Sequence, residues 1–175
     1  MSASKYRHAA VLSLLLQLWP PASAHDTSVP SPDTELKVAF LYNFALYTQW
    51  PSVPAHGLVF CVLGHDDLGT ALDAIAKRQI NKQRIWVQRL DAHADITDCH
   101  LVYLPGVPDA KSVLATRGLH EKPILSVTDA ATDEWAMVRL GHNGNRLVFD
   151  INNTSARAAG LVLSSKLLRL ARSVR

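Results

Sequence analysis

The chain has 175 residues, 48% of them hydrophobic and 19% charged, with 18 Lys and Arg against 15 Asp and Glu. That length fits one domain, and the apolar share is enough for a packed core, which excludes intrinsic disorder. The formal charge of +3 invites a nucleic-acid partner, but part of it lies in the first two dozen residues.

Lys5, Arg7 and His8 precede Ala9 to Trp19, a run that is apolar except for Ser13 and Gln17. Pro20-Pro21 interrupts it, and Ala22-Ser23-Ala24 has the A-x-A form of a cleavage site, so residues 1–24 are expected to be a secretory signal peptide. A membrane span would need about 20 apolar residues, roughly twice this run. Cleavage after Ala24 removes Lys5 and Arg7 from the 18 basic residues and no acidic ones, leaving 16 against 15, a net of +1. Such a balance lacks the electrostatic footprint of a nucleic-acid binder, and none is expected. Export to the periplasm, for a Gram-negative source, places the two cysteines, Cys61 and Cys99, in an oxidising compartment. A disulfide is the default there, ahead of a metal site or redox pair. Closing that loop contributes roughly 4 kcal/mol in the chain-entropy view.

Residues 25–33, with Pro30 and Pro32, are expected to be a flexible leader to a domain over 34–175. A helix should begin at Asp33 or Thr34, with Leu36, Ala39, Phe40, Asn43, Phe44 and Tyr47 on one face and Trp50-Pro51 ending it. Asn43, if buried there, needs a hydrogen-bond partner. The run Leu58 to Leu63 is short, continuous and apolar between Gly57 and Gly64, as a buried parallel strand is. His65-Asp66-Asp67 should open a helix through Ala76, with Asp66 or Asp67 as its cap. Strands are expected at Arg84 to Leu90, Leu101 to Leu104 and Pro123 to Val127, with a polar connection over Asp91 to Asp98 and a helix over Asp109 to Thr116.

Ala136 to Leu140 and Arg146 to Ile151 flank Gly141-His142-Asn143-Gly144, a hairpin signature. A short helix over Asn152 to Ala159 should stop at Gly160, followed by a strand at Leu161 to Leu163 and a basic amphipathic helix from Ser165 to Ser173 capped by Ser164. One long helix from Thr154 is the rival reading. Lys166, Arg169 and Arg172 would form that helix's solvated face. The alternation of strands and helices predicts an α/β fold: one layered domain, a mainly parallel central sheet, and a C-terminal β-hairpin followed by helix, strand and helix.

The search for chemistry yields little. No G-x-S-x-G occurs, and the eight histidines show neither H-x-H nor H-x-x-x-H spacing, so no catalytic residue, metal or cofactor is assigned. An exposed His25 at a processed amino terminus is chemically able to bind copper, but only with a second imidazole supplied by the fold. Gly64-His65-Asp66-Asp67-Leu68-Gly69 follows the first long strand, where α/β folds place ligand-binding turns, so Gly64, Asp66, Asp67 and Gly69 are candidate ligand-binding residues. The turn matches neither G-x-G-x-x-G nor a Walker loop, its carboxylates repel phosphate, and ordinary helix capping competes with that role.

Several stretches together resemble the YfiR/HmsC family. They are Lys37-Val38-Ala39-Phe40-Leu41-Tyr42-Asn43-Phe44 before Trp50-Pro51, Phe60-Cys61-Val62-Leu63-Gly64, Leu101-Val102-Tyr103-Leu104 and Ile124-Leu125-Ser126-Val127-Thr128-Asp129. Asn145-Arg146-Leu147-Val148-Phe149-Asp150-Ile151-Asn152 and Ser164-Ser165-Lys166-Leu167-Leu168 complete the set. The resemblance implies a small periplasmic α/β protein that regulates rather than catalyses. Such proteins repress an inner-membrane diguanylate cyclase by binding its periplasmic sensory region, which keeps cyclic-di-GMP and biofilm formation low, and an outer-membrane lipoprotein can sequester them. It also implies a disulfide at Cys61 and Cys99, and a partner-binding surface at Val138, Arg139, Phe149, Asp150 and Asn152, with a homodimer as a further arrangement. A second cysteine pair found near the hairpin in some relatives is missing from Ala136 to Leu140, so redox switching there does not carry over. The alternatives are a periplasmic small-molecule sensor and a secreted enzyme whose site carries no recognisable motif.

Overall fold

In the computed structural model the described residues are 30–53, 55–106, 122–131 and 136–175. The first helix, α1 (Pro32–Leu46), starts earlier than its sequence suggests. Ser31 caps it by accepting from the Thr34 amide, and Pro32 occupies the first turn, where its missing N–H is not needed. It also ends earlier. The Thr48 hydroxyl donates to the Phe44 carbonyl at 2.6 Å, and Thr48–Gln49 leaves the helix as a short strand, β1. Asn43 is exposed and donates to the Ala39 carbonyl of its own helix, so it anchors no packing.

The remaining elements are β2 (Leu58–Leu63), α2 (Gly69–Ala76), β3 (Gln79–Ile80), β4 (Gln83–Leu90), β5 (Leu101–Leu104), β6 (Leu125–Thr128), β7 (Val138–Asn143) and β8 (Arg146–Ile151), followed by α3 (Asn153–Ala158), β9 (Val162–Leu163), α4 (Ser165–Leu170) and β10 (Ser173–Val174). Among the described residues, one sheet of eight strands runs in the order β10-β8-β7-β6-β5-β2-β4-β3, and β1 pairs with β9 in a separate ribbon. From β4 through β2, β5 and β6 to β7 every neighbour is parallel. Only β8 against β7 and β3 against β4 are antiparallel within that sheet. This is a single layered α/β domain with a mainly parallel centre, as the alternation of apolar runs predicts.

The central strands β2, β5 and β6 are buried on both faces, and β2 shows how the two-residue period divides its side chains. Leu58, Phe60 and Val62 join the larger core with Leu41, Phe44, Leu72, Tyr103 and Phe149, beneath the helices. Val59, Cys61 and Leu63 face the other way, into a smaller core with Ile96, Cys99, Val102, Leu104 and Ile124. Cys61 and Cys99 are disulfide-bonded there, with Cα atoms 6.0 Å apart, joining β2 to the segment that enters β5. Gly57 leads into β2 at φ 111°, and a Cβ at that position would run into the main chain of Arg84 on β4.

Boundaries shift where turn chemistry decides them. The α2 helix begins at Gly69 rather than at His65 to Asp67. Pro123, which has no N–H to give a ladder, stays outside β6. The β7–β8 turn is only Gly144-Asn145, so Gly141, His142 and Asn143 are strand residues paired as far as Asn143 with Arg146. The two-residue turn matches the twist of the strands it joins. β3 is an addition that its two residues gave no pattern to reveal. Gly160, at φ 77°, ends α3, and β9 separates it from α4, so the continuous helix from Thr154 does not form. The α4 helix stops at Leu170, and Arg172 lies on extended chain instead of a solvated helix face. The expected helix over Asp109 to Thr116, residues 1–24 and most of the leader lie outside the described residues.

Candidate functional site

β4 and β5 lie on opposite sides of β2, so the strand order reverses between β2 and β5. Open α/β sheets place their crevice at such a point, beyond the carboxyl ends of the strands. Five side chains from four elements meet there. Lys37 projects from α1, Asp67 follows β2, Tyr103 lies on β5, Asp129 follows β6, and Asp33 sits one helical turn before Lys37. The Lys37 ammonium lies 2.8 Å from Asp129, 3.6 Å from Asp67 and 3.9 Å from Asp33. Asp129 also accepts from the Tyr103 hydroxyl at 2.9 Å and the Gly106 amide at 2.6 Å. His142 of β7 reaches Asp33 at 3.0 Å.

These groups set one another's protonation. Burial pushes the Asp129 carboxyl up, but Lys37, Gly106 and Tyr103 outweigh it and hold it below the usual range. Burial pushes Asp67 up, the neighbouring Asp129 charge adds to this, and Lys37 only partly opposes them. Burial opposes the charge on Lys37, yet the three carboxylates raise its pKa. Tyr103 is driven far up by burial and by the adjacent Asp129, so it stays a neutral donor. The cluster therefore ties α1 to the ends of three parallel strands through the Lys37 ammonium and the carboxylates of Asp67 and Asp129.

Of the candidate ligand-binding residues, Asp67 belongs to this cluster and the others do not. Asp66 accepts from the Leu68 and Gly69 amides at the entrance to α2 and pairs with Arg89 of β4 at 2.5 Å. Burial raises its pKa, but Arg89 and the two amides prevail and keep it low. Arg89 also holds the Gly69 carbonyl and Asp73, both at 2.9 Å. The Gly64 amide donates to the Leu90 carbonyl. The polar groups of the turn are thus engaged in holding α2 against β4.

The five candidate partner-binding residues are gathered on the β7–β8 hairpin and its exit. Val138 is wholly buried and Phe149 nearly so, the latter edge-on to Phe40 and Phe44 with ring centroids 5.5 Å and 5.0 Å away. Arg139 and Asp150 face each other across the ladder, 2.7 Å apart. Asp150 further accepts from Nε and Nη2 of Arg172, at 2.9 Å and 2.5 Å, and from the Ser173 hydroxyl at 2.9 Å. Arg172 leads in holding its carboxyl well below the usual range, with Arg139 and Ser173 adding to the effect. Asn152 caps α3 by accepting from the Ser155 amide.

The sequence alone gives no role to Lys37 or Asp129, and it places Arg172 on a solvated helix face rather than on Asp150. Lys37 and Asp129 lay inside the resemblance stretches, and that was the only signal they carried. The disulfide line of reasoning, by contrast, matches the bonded pair. Among the described residues, no group of three or more His, Cys, Asp or Glu side chains is placed to hold a metal ion, and no helix is long and apolar enough to cross a membrane.

The fold is similar to that of a solved structure, a conserved domain protein from Vibrio cholerae O1 biovar El Tor, at 14% identity and a TM-score of 0.53. The match covers 83% of this chain and 60% of that one, and at this identity it speaks to fold alone. The resemblance stretches, the paired cysteines and the layered sheet are joined by a direct match, since a family model described as YfiR/HmsC-like covers residues 34–172, and the chain belongs to that family.

Proposed function

We propose that this protein is a periplasmic repressor that binds the periplasmic sensory region of an inner-membrane diguanylate cyclase, keeping cyclic-di-GMP and biofilm formation low without catalysis of its own. The family match over residues 34–172 carries this reading. Family members are periplasmic regulators in cyclic-di-GMP signalling, and the signal peptide over 1–24, cleaved after Ala24, supplies the route to that compartment. An outer-membrane lipoprotein that sequesters the repressor would complete the circuit.

The contact surface in this reading is the β7–β8 hairpin with the segment after it. Val138 and Phe149 anchor that surface from below, Asn152 shapes its exit by capping α3, and Asp150 holds Arg139 and Arg172 side by side. Arg139, with a third of its side chain exposed, offers donors to a partner. The test is a pull-down from envelope extract with the mature protein, combined with cyclic-di-GMP measurement in a strain lacking it. A captured membrane protein with a cytoplasmic diguanylate cyclase domain, and raised cyclic-di-GMP in the deletion strain, is the expected result. Unchanged cyclic-di-GMP and matrix in that strain would sink the reading.

A further inference from the structure

Among the described residues, the outer flank of β4 combines an open strand edge, a groove beside it and a group of cations without counter-ions. Along β4 the Leu90 carbonyl accepts from the Gly64 amide, on the β2 side. Main-chain groups alternate in direction along a strand, so those of Val87 and Arg89 point away from β2. β3 pairs only with Gln83 and Arg84, and among the described residues nothing pairs with Val87 and Arg89 on that outer side. Edge strands are commonly guarded by lysine, proline or a bulge. Here the open stretch is Ile85-Trp86-Val87-Gln88, with Trp86 46% exposed.

A groove of about 240 Å³ follows this edge, with Asp73 and Ala76 of α2 on one side and β4 on the other. Asp73 is already held by Arg89. Arg84 lines the groove, and the chain leading to it from α2 carries Lys77, Arg78 and Lys82, all exposed like Arg84, with no acidic residue between Asp73 and Asp91. Among the described residues none of these four has a carboxylate within ion-pair distance. Two of them lie over aromatic rings instead, Arg78 over Tyr42 and Arg84 over Trp86, each 5.2 Å from the centroid. Lys82 sits at the tip of the β3–β4 turn at φ 69°, a conformation a lysine adopts against its own preference.

We propose that the outer edge of β4 is a docking site for an extended, acidic segment of a partner protein, which adds to the sheet as a further strand. The outward groups of Val87 and Arg89 supply main-chain pairing, as in other strand-addition complexes. Side chains of the added strand that share a face with Arg84 and Trp86 are then an acid and an apolar residue. Charge complementarity with Arg84 at the groove and Lys82 on the adjoining β3–β4 turn selects the acidic partner, and Lys77 and Arg78 on the preceding segment add to the attraction that speeds its encounter. This surface is separate from the β7–β8 hairpin and does not depend on the cyclase reading.

The test uses the mature protein and a short fluorescent peptide in which Glu alternates with Val and Thr, at about 150 mM salt. Two control peptides replace Glu by Lys, or place proline at alternate positions so that no ladder forms. The acidic peptide is expected to bind about tenfold or more tightly than either control, and to slow amide exchange at Val87 and Arg89. The double variant Lys82→Gln, Arg84→Gln alters only exposed side chains, and it should keep the melting temperature while weakening that binding at least several-fold. Equal binding of the proline peptide would overturn strand addition, and an unaffected glutamine variant would overturn the charge argument. Sedimentation with phosphatidylglycerol vesicles without peptide binding would overturn the proposal in favour of a lipid surface.

Discussion

The two flanks of the sheet are built to opposite rules. On the flank of β8, the chain covers the carboxyl end of the strand and pairs the charges there. β10 pairs with Asp150 and Ile151, Asp150 takes Arg139, Arg172 and Ser173, and the Asn153 and Thr154 amides at the start of α3 donate to the Arg175 carbonyl. On the flank of β4, the two-residue β3 covers only the first residues, and the cations nearby lack acidic partners among the described residues. The same cationic side chains thus have opposite uses. Arg172 is a structural clasp, because a half-buried carboxylate was placed opposite it, whereas Arg84 remains available. Basic residues counted from composition cannot show this difference, since it depends on where the acids fall.

The centre of the sheet provides the control for that contrast. Replacing Cys61 and Cys99 together by alanine should cost roughly 4 kcal/mol in denaturant unfolding. The bond lies under β2 and belongs to neither flank, so amide protection at Gln88, whose N–H faces β2, and at Ile151 should fall together. Loss at one flank alone would show that the flanks unfold as separate units. Asp150→Asn is the next largest change. It weakens charged hydrogen bonds from three side chains, at a cost of about 2 kcal/mol given its position at the rim. Exchange should accelerate at Arg172 to Arg175 and stay unchanged on β4.

The same residue fixes an acid limb. Its folded pKa lies below the unfolded value of about 3.9, so the stabilisation is fully present above that pH and is lost as pH falls toward the folded value. The asparagine variant should flatten this limb, and an unchanged acid profile would mean that the clasp contributes nothing. Lys37→Met tests the crevice in between. Asp129 keeps Tyr103 and Gly106 but loses its cation, and partial exposure limits the cost to about 1–2 kcal/mol at neutral pH. Part of that loss should return on acidification as Asp67, already raised, takes up its proton. Equal destabilisation at neutral and acid pH would assign the loss to packing rather than charge.

How much of this was readable follows from how local the signal is. β2, β5 and the β7–β8 hairpin were legible because a continuous apolar run, or alternation around Gly and Asn, reports burial directly. Cys61 and Cys99 were legible because only two cysteines exist to pair. The Lys37–Asp129 contact was not legible, since 92 positions separate its partners and neither has a local pattern. Arg172 was assigned to a helix face because Lys166 and Arg169 share its spacing, while the carboxylate that draws it onto extended chain lies 22 positions upstream. Phe149 is visible as apolar, but only the fold shows that its ring meets Phe40 and Phe44 from α1.

The smallest prediction separates local strain from surface charge on the open flank. Asn81 and Lys82 turn the chain from β3 into β4 with φ of 51° and 69°. Two-residue turns with both φ positive favour Asn then Gly, and the sequence has Lys where Gly is expected. The left-handed conformation costs a residue with a Cβ about 1–2 kcal/mol. Glycine removes that cost but adds about 0.5–1 kcal/mol of unfolded-state freedom. Lys82→Gly should therefore stabilise the protein by about 0.5 kcal/mol, a rise of about 1–2 °C in melting temperature. It also removes the cation on the turn that leads into β4, so acidic-peptide binding should weaken while stability rises. A rise in both would mean that the turn's rigidity, and not the lysine's charge, governs docking at this edge. A fall in stability would show that the aliphatic stem of Lys82 packs on the hairpin strongly enough to outweigh the strain of its backbone.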